Sequence, residues 1–404
     1  MQNLSCLALV SMPLLQCYNI LGTALTKFLM LGLILFFLFV GNKRPQVPKQ
    51  LKYFLVYAFT IPQIFAIISG NTSEFLGSYI TLILFSATFV CLMPYLSLSH
   101  IIRYYRVIVY IAIGVFVLQE VSFLVLGSRF GVLIPFLDLY TGMPASDYLE
   151  HYQSFERSCS IFVEPSHFAQ YLAPYLALTL NDYSKKRRFF GIDAIIISVA
   201  LLLARSGNGY FLLASIWVVH FLMCRISMLK KLCIVLPIVA FIIIYGFDYI
   251  SKTDIGSEVL ERTEQLDADY SGDKHSGTIR IYRGLWVYAT MAPVLKVFGV
   301  GLGGVNDIID NSPLSWSFAE DHYVNNASLF LMAFGYIGCA LLLLFLVSLC
   351  SRAVPGTIYI IVAFVVLCFM ESFTFDSRML LYLLLPFALK NSDDIGAFSS
   401  LKHS

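Results

Sequence analysis

Long apolar runs separated by short polar connections set the character of this chain. A helix that crosses a bilayer needs about 20 mostly apolar residues. Runs of this kind start near Leu4, Leu25, Tyr53, Gly77, Val107, Glu164, Ile192, Asn208, Leu232, Ser328, Pro355 and Met379. The pattern predicts an all-α polytopic integral membrane protein with about 12 transmembrane helices. It forms a single membrane domain over residues 1–404. Two connections are long, residues 127–163 and 251–327, and are read as large periplasmic loops carrying short helices. The others are short turns. No internal repeat and no low-complexity tract interrupts the pattern.

Composition agrees with a membrane bundle. Only 13% of residues are charged and 58% are hydrophobic, whereas a soluble domain carries about 25% charged residues. The net charge of +2 says little, but its distribution orders the chain. If the spans alternate, Lys43, Arg44, Lys49 and Lys52 share one side with Arg103, Arg106, Lys185 to Arg188, Arg225, Lys230, Lys231 and Arg352. The positive-inside rule makes that side the cytoplasm and places both termini there. Acidic residues gather in the two long loops on the other face, among them Asp138, Glu156, Glu258, Asp269 and Glu320. Loops on a rigid scaffold are where binding and catalytic groups concentrate. Nearly all of the nine cysteines lie in apolar runs, so no disulfide framework is expected. The first lysine is Lys27, and without a basic n-region the first run is read as a retained span.

Four polar segments on the loop face carry candidate chemistry. In Glu164-Pro165-Ser166-His167, a carboxylate stands at the mouth of a span, where an acid is costly and functional by default. Pro165 suits the first helical position. Helical spacing then puts Glu164, His167, Tyr171 and Tyr175 on one face, a sugar-binding strip or a capping Glu with interface tyrosines. Arg205-Ser206-Gly207 is a tight turn whose Arg either snorkels to the interface or holds a phosphate through its guanidinium fork. Residues 277–288 read as an amphipathic interfacial helix with Trp286 as anchor. Arg280 and Arg283 share one of its faces and Ile281, Leu285 and Tyr288 another, so the arginines bind either lipid headgroups or a diphosphate. Glu320 to Asn326 brings His322, a group that titrates near neutrality, and Asn325 to the start of the next span.

Other patterns fail. Gly299 to Gly304 fits G-x-G-x-x-G but follows no strand, so it is not a dinucleotide fingerprint. Asp267-Ala268-Asp269 and the pair Asp273 and His275 are too sparse for a metal cage, so no metal and no cofactor is expected. No basic stripe suggests nucleic acid.

Taken together, these segments resemble the O-antigen polymerase and ligase superfamily of envelope polysaccharide assembly. Phe162-Val163-Glu164-Pro165-Ser166 resembles the polymerase signature before a central helix, and Arg205-Ser206-Gly207 the Arg-bearing turn that follows. Arg280 to Trp286, with Pro293 and Phe298-Gly299-Val300-Gly301, resembles the long-loop helix and its Gly-rich exit. His322, Asn325 and Phe334 to Gly338 resemble the His/Asn start of the next helix, although Tyr323 stands where the family often has Asn. The Glu-Pro-Ser element favours O-antigen or capsular repeat-unit polymerases over ligases.

The resemblance implies a multi-pass enzyme of the bacterial inner membrane. It would transfer a growing glycan from undecaprenyl diphosphate to the terminal sugar of another lipid-linked repeat unit. A repeat-unit flippase, a chain-length regulator and membrane lipid are the implied partners. A departing diphosphate is stabilised by positive charge, for which Arg157, Arg205, Arg280 and Arg283 are the candidates. The acceptor hydroxyl needs a proton acceptor, Glu164 first and His322 second. His167, Tyr171 and Asn325 are the candidate sugar contacts. The transfer is expected to be metal-independent. The alternatives are an O-antigen ligase acting on lipid A core and a membrane transporter. The latter predicts inverted repeats and broken helices.

Overall fold

The computed structural model describes residues 1–43, 47–69, 72–139, 144–152, 157–185, 188–224, 227, 229, 279–313, 315, 323–350 and 354–391. Helices α1 (Gln2–Ser11) and α2 (Leu25–Val40) flank a hairpin of β1 (Tyr18–Ile20) and β2 (Thr23–Ala24). Next come α3 (Lys49–Phe59), α4 (Ile61–Ser69), α5 (Thr72–Leu92) and α6 (Leu98–Leu126). The first long loop holds β3 (Asp138–Leu139) and α7 (Ala145–Tyr152), and leads to α8 (Pro165–Lys185), α9 (Ile192–Leu203) and α10 (Gly207–Met223). The described part of the second long loop holds α11 (Gly284–Thr290), α12 (Pro293–Phe298) and α13 (Val305–Asp310). The chain then forms α14 (Asn326–Cys350), α15 (Pro355–Met370) and α16 (Ser377–Asn391).

Among the described residues, four stretches are long and apolar enough to cross a membrane: Lys49–Ile68, Glu74–Tyr95, Leu98–Leu126 and Asn326–Cys350. Other apolar helices, such as Ile192–Leu203 and Gly207–Met223, run only 10–17 residues. The span expected from Leu232, and the second loop up to residue 278, lie outside the described residues.

The fold is mostly helical, as expected, with one small addition. A small antiparallel sheet of order β2-β1-β3 joins the α1–α2 hairpin to the first long loop. Leu21 (φ 52°) and Gly22 (φ 73°) form its turn, with the two positive-φ residues that a type I′ hairpin requires. Tyr18 pairs with Leu139, and its hydroxyl accepts the Ile134 N–H at 3.0 Å. Hydropathy misses this sheet because its strands are only two or three residues long.

Helices α8 and α16 occupy the centre. Residues 168–182 of α8 and 379–389 of α16 are buried without interruption, as helices that are apolar all round should be. The neighbours of α8 are α6, α9, α10, α15 and α16; α16 also lies against α1, α5, α6 and α15. Buried tyrosines need partners for their hydroxyls. Tyr105 donates to the Tyr171 carbonyl at 2.5 Å, Tyr171 to Val10 at 2.8 Å and Tyr382 to Gln170 at 2.9 Å. At the other end of α8, Asn181 Oδ1 accepts the Gly356 N–H at 2.9 Å and so ties α8 to α15.

Helix α14 is broken. Gly335 adopts φ 62°, ψ −172° within it, nine residues or roughly 14 Å from its start. A break inside a membrane helix is tolerated where protein satisfies the freed backbone groups. Here the strand-like exit of α12 does so. The N–H groups of Val300 and Gly301 donate to the carbonyls of Met332 and Ala333, each at 2.9 Å. The Tyr57 hydroxyl meets the carbonyls of Phe298 (2.8 Å) and Phe334 (3.2 Å). The second loop therefore inserts against the middle of α14 instead of only covering the helix ends. Gly299 (φ 79°) and Gly335 face each other, and a Cβ on Gly335 would stand 2.4 Å from the Val297 carbonyl oxygen.

Gly335→Ala should cost at least about 2 kcal/mol, combining left-handed strain with a backbone collision. Gly32→Ala, with open space around its Cβ, should be neutral or slightly stabilising. Thermal unfolding of the two detergent-solubilised variants checks this contrast.

Candidate functional site

Helix ends from four parts of the chain meet where the long loops join the bundle. Pro165 opens α8, as its missing N–H allows, and Glu164 precedes it with its carbonyl accepting the Phe168 N–H at 3.2 Å. Glu164 Oε2 accepts the Ser166 hydroxyl at 2.9 Å. One turn on, His167 lies in the field of Arg378 first, and then of Glu164, Glu371 and Asp376. These residues come from α8, the α15–α16 connection and the start of α16. Charged groups that the pattern analysis did not single out thus lie near Glu164 and His167.

Arg378 and Glu371 anchor this meeting point. Arg378 Nε donates to Asp376 Oδ2 at 2.7 Å, Nη1 to Gln170 Oε1 at 2.8 Å and Nη2 to the Ser372 carbonyl at 3.3 Å. Its side chain is only 12% exposed, so these partners replace water around the cation. Asp376 also caps α16, its Oδ1 accepting the N–H groups of Arg378 (2.8 Å) and Met379 (3.0 Å). Gln170 uses its other end on Glu371, donating Nε2 to Oε2 at 3.2 Å. Asn208 Nδ2 donates to the same oxygen at 2.6 Å. The Tyr323 hydroxyl lies 3.4 Å from Glu371 Oε1. A small cavity beneath the cluster is lined by Phe162, His167, Gln170, Tyr171, Arg378 and Tyr382.

Arg157 and Arg205 come together beside this network. Arg157 Nη1 donates to the Arg205 carbonyl at 2.9 Å, and Asn208 follows one helical turn later. The segment holding Arg157 is fixed to α6. Buried Gln119 donates to the Ser160 carbonyl at 2.9 Å and accepts the Ser160 N–H at 2.7 Å. Arg129 donates Nε to Ser158 Oγ at 3.1 Å and packs over the Phe123 ring at 3.7 Å. Ser160, Arg205 and Phe375 all take positive φ near 55°, at 61°, 50° and 54°. Such strain at non-glycine residues persists where the surroundings over-determine it, and it collects at functional sites. Tyr148 of α7 closes the flank, donating to the Val163 carbonyl at 2.7 Å. Burial first, and then nearby ionisable groups including Glu164, push its phenol well above the ordinary range, so it keeps its proton as a donor.

Three expectations need revision. Arg283 is not on an exposed helix face. It is 5% exposed and donates Nη2 to the Tyr323 carbonyl at 2.6 Å, because a π-turn over Ile279–Arg283 precedes α11 and rotates it inward. Trp286 does remain exposed, stacked on Tyr282 at 5.9 Å. Asn325 is buried and spends its amide on the fold. Nδ2 donates to the carbonyls of Ile281 (3.1 Å) and Phe369 (3.0 Å), and Oδ1 accepts the Ser328 N–H at 2.8 Å. Tyr171 is 2% exposed, and its hydroxyl is committed to Val10. Neither presents a free polar edge to a sugar. All of His322 and the side chain of Arg280 lie outside the described residues.

Gln170, Asn208, Glu371, Asp376 and Arg378 are the functional candidates that pattern reading missed. A signal existed: three ionisable residues fall within residues 371–378, between two apolar helices. The cost of charge in such a place applies to them as it does to Glu164. Among the described residues, no group of three His, Cys, Asp or Glu side chains converges as a metal cage.

Asn325→Ala should destabilise the protein by about 2 kcal/mol or more, since it removes a helix cap together with two buried donors. The loss should appear as a lower Tm on thermal unfolding of the detergent-solubilised variant. No protein-family model matches the chain, and no curated protein matches it either.

Proposed function

We propose that the chain is a membrane glycosyltransferase that polymerises lipid-linked repeat units. In this reading it spans a bacterial inner membrane about twelve times, with both termini in the cytoplasm and the long loops outside. It moves a growing glycan from undecaprenyl diphosphate to the terminal sugar hydroxyl of another lipid-linked unit, without a metal.

The observation that carries the reading is the linked set Arg378–Gln170–Glu371–Asn208 beside the contact of the Arg157 guanidinium with the Arg205 carbonyl. Guanidinium and carboxylate groups meet there at one end of the helices. A departing diphosphate asks for preorganised positive charge, and a guanidinium fork suits phosphate oxygens. Arg157, Arg205, Arg280 and Arg283 are assigned this task, and Arg378 joins them from α16. Among the described residues, Arg378 uses three of its five N–H donors on protein atoms. The acceptor hydroxyl requires a proton acceptor, the role assigned to Glu164 and His322, while His167 lines the sugar side.

The break in α14 is a feature that the transporter alternative predicts. It does not favour that alternative, because the freed carbonyls of Met332 and Ala333 are taken by Val300 and Gly301 and are not open to an ion.

Purified protein in nanodiscs, supplied with an undecaprenyl-diphosphate-linked repeat unit, should produce a ladder of longer chains. Deleting the gene should leave surface glycans of one repeat unit; bare lipid A core would indicate a ligase instead. Arg205→Ala and Arg157→Ala should each lower extension at least about tenfold, the worth of one charge-assisted contact. Wild-type extension in both Glu164→Gln and Arg280→Ala would refute the assignment of these two residues.

A further inference from the structure

Residues 130–137 differ from the rest of the first long loop because they contain no polar side chain. Phe130, Val132 and Phe136 are nonetheless exposed, Phe136 at 84%. Leu21, at the tip of the β1–β2 hairpin, is 92% exposed and holds a left-handed φ where Asn or Gly is usual. The β1–β3 register, with Asn19 opposite Asp138, brings Leu21 and Phe136 to the same end of the sheet. Exposed apolar side chains gathered in this way mark a site of membrane or protein interaction.

Helix α6 sets the depth of this patch. Ile111, Leu118 and Val125 lie exposed along one of its faces. From Val107 to Leu126 the helix covers about 29 Å, the thickness of a hydrocarbon core. Lipid therefore reaches the end of α6. Beyond Gly127 the chain folds back along the helix instead of rising from it. Ser122 Oγ donates to the Ser128 carbonyl at 2.9 Å, Arg129 Nη2 pairs with Glu120 Oε1 at 3.6 Å, and Gln119 Nε2 donates to the Phe130 carbonyl at 3.0 Å. Phe130 thus stands beside Gln119, about 10 Å short of the end of α6. Arg129 is itself buried and paired, as charge at that depth must be. Irregular backbone is tolerated in a leaflet only where protein satisfies its polar groups. Here the Tyr18 hydroxyl accepts the Ile134 N–H at 3.0 Å. The Ile134 carbonyl accepts the Leu137 N–H and the Leu137 carbonyl the Ala145 N–H, each at 3.2 Å.

We propose that residues 130–137 and the hairpin tip form a membrane-dipping element, with Leu21 and Phe136 inserted among the lipid chains of the leaflet on the long-loop side. The fold-back carries the lipid-facing surface of α6 onto this patch, so its occupant is lipid and not a second protein. Through β3 and Tyr18 the element holds the start of the first long loop against the bilayer. The proposal depends on the membrane character of the chain and not on the polymerase reading.

Phe136→Trp and Leu21→Trp read the depth directly. Both side chains are exposed, so neither exchange disturbs core packing, and each variant reports without the other. The full chain is placed in nanodiscs, and the emission of its three native tryptophans is subtracted with the wild-type protein. Lipids brominated in the upper part of their chains should quench the added emission at least about twofold, as for side chains set roughly 5–10 Å into the headgroup–acyl boundary. Aqueous iodide should leave it unchanged. Leu118→Trp on α6 gives the response of a lipid-facing position. Quenching of either variant by iodide and not by brominated lipid overturns the proposal and makes the patch a water-facing surface open to a protein partner.

Discussion

A charge buried among helices is tolerable only when protein atoms replace the water it gives up, and Arg378 is the charge around which this bundle is arranged. Its guanidinium is shared between Asp376 on its own helix, Gln170 on α8 and the carbonyl of Ser372. Gln170 has no freedom to turn. Its carbonyl must face the cation and its amino group must face Glu371. One amide therefore sets the spacing of α8, α15 and α16, and Asn208 draws α10 to the same point. Apolar packing has no direction of its own. The register of these helix ends comes from the polar contacts, while burial of α8 and α16 supplies the driving force.

A second constraint acts on the backbone. The interruption of α14 at Gly335 frees carbonyls that a lipid or apolar environment cannot satisfy. The exit of α12 satisfies them, and two glycines make the approach close enough. The run from Gly299 to Gly304 looks like a phosphate-binding fingerprint but acts as a packing element. Asn325 and Asn326 extend the same principle to the site. Between them they secure the second loop, the end of α15 and the strap from Glu371 to Thr374. Asn325, which looks like a ligand for a sugar, is here committed to holding the backbone of neighbouring segments.

These two constraints divide the labour at the loop end of the bundle. Strained turns stand at Ser160, Arg205 and Phe375, and helices flank each of them. A carboxylate held by neutral amides and a guanidinium held by a carboxylate are placed there without rearranging the core.

The membrane character was legible from the apolar runs alone, because hydropathy is a local property and each run declares itself. So was the start of α8, because Pro165 marks a first helical turn wherever it stands, and the strained turn at Arg205 falls where Arg205-Ser206-Gly207 suggested one. The central position of α8 and α16 was not legible, since nothing in an apolar run says whether lipid or protein will cover it. The inward turn of Arg283 and the engagement of Asn325 depend on partners about forty residues away. The pairing of Gln170 with Glu371 and Arg378 spans some two hundred positions. Residue types and spacing by themselves determined which segments hold charge near a membrane surface. Only the tertiary structure decided which of those charges meet, because hydrogen bonds act over about 3 Å in space and leave no fixed interval along the chain.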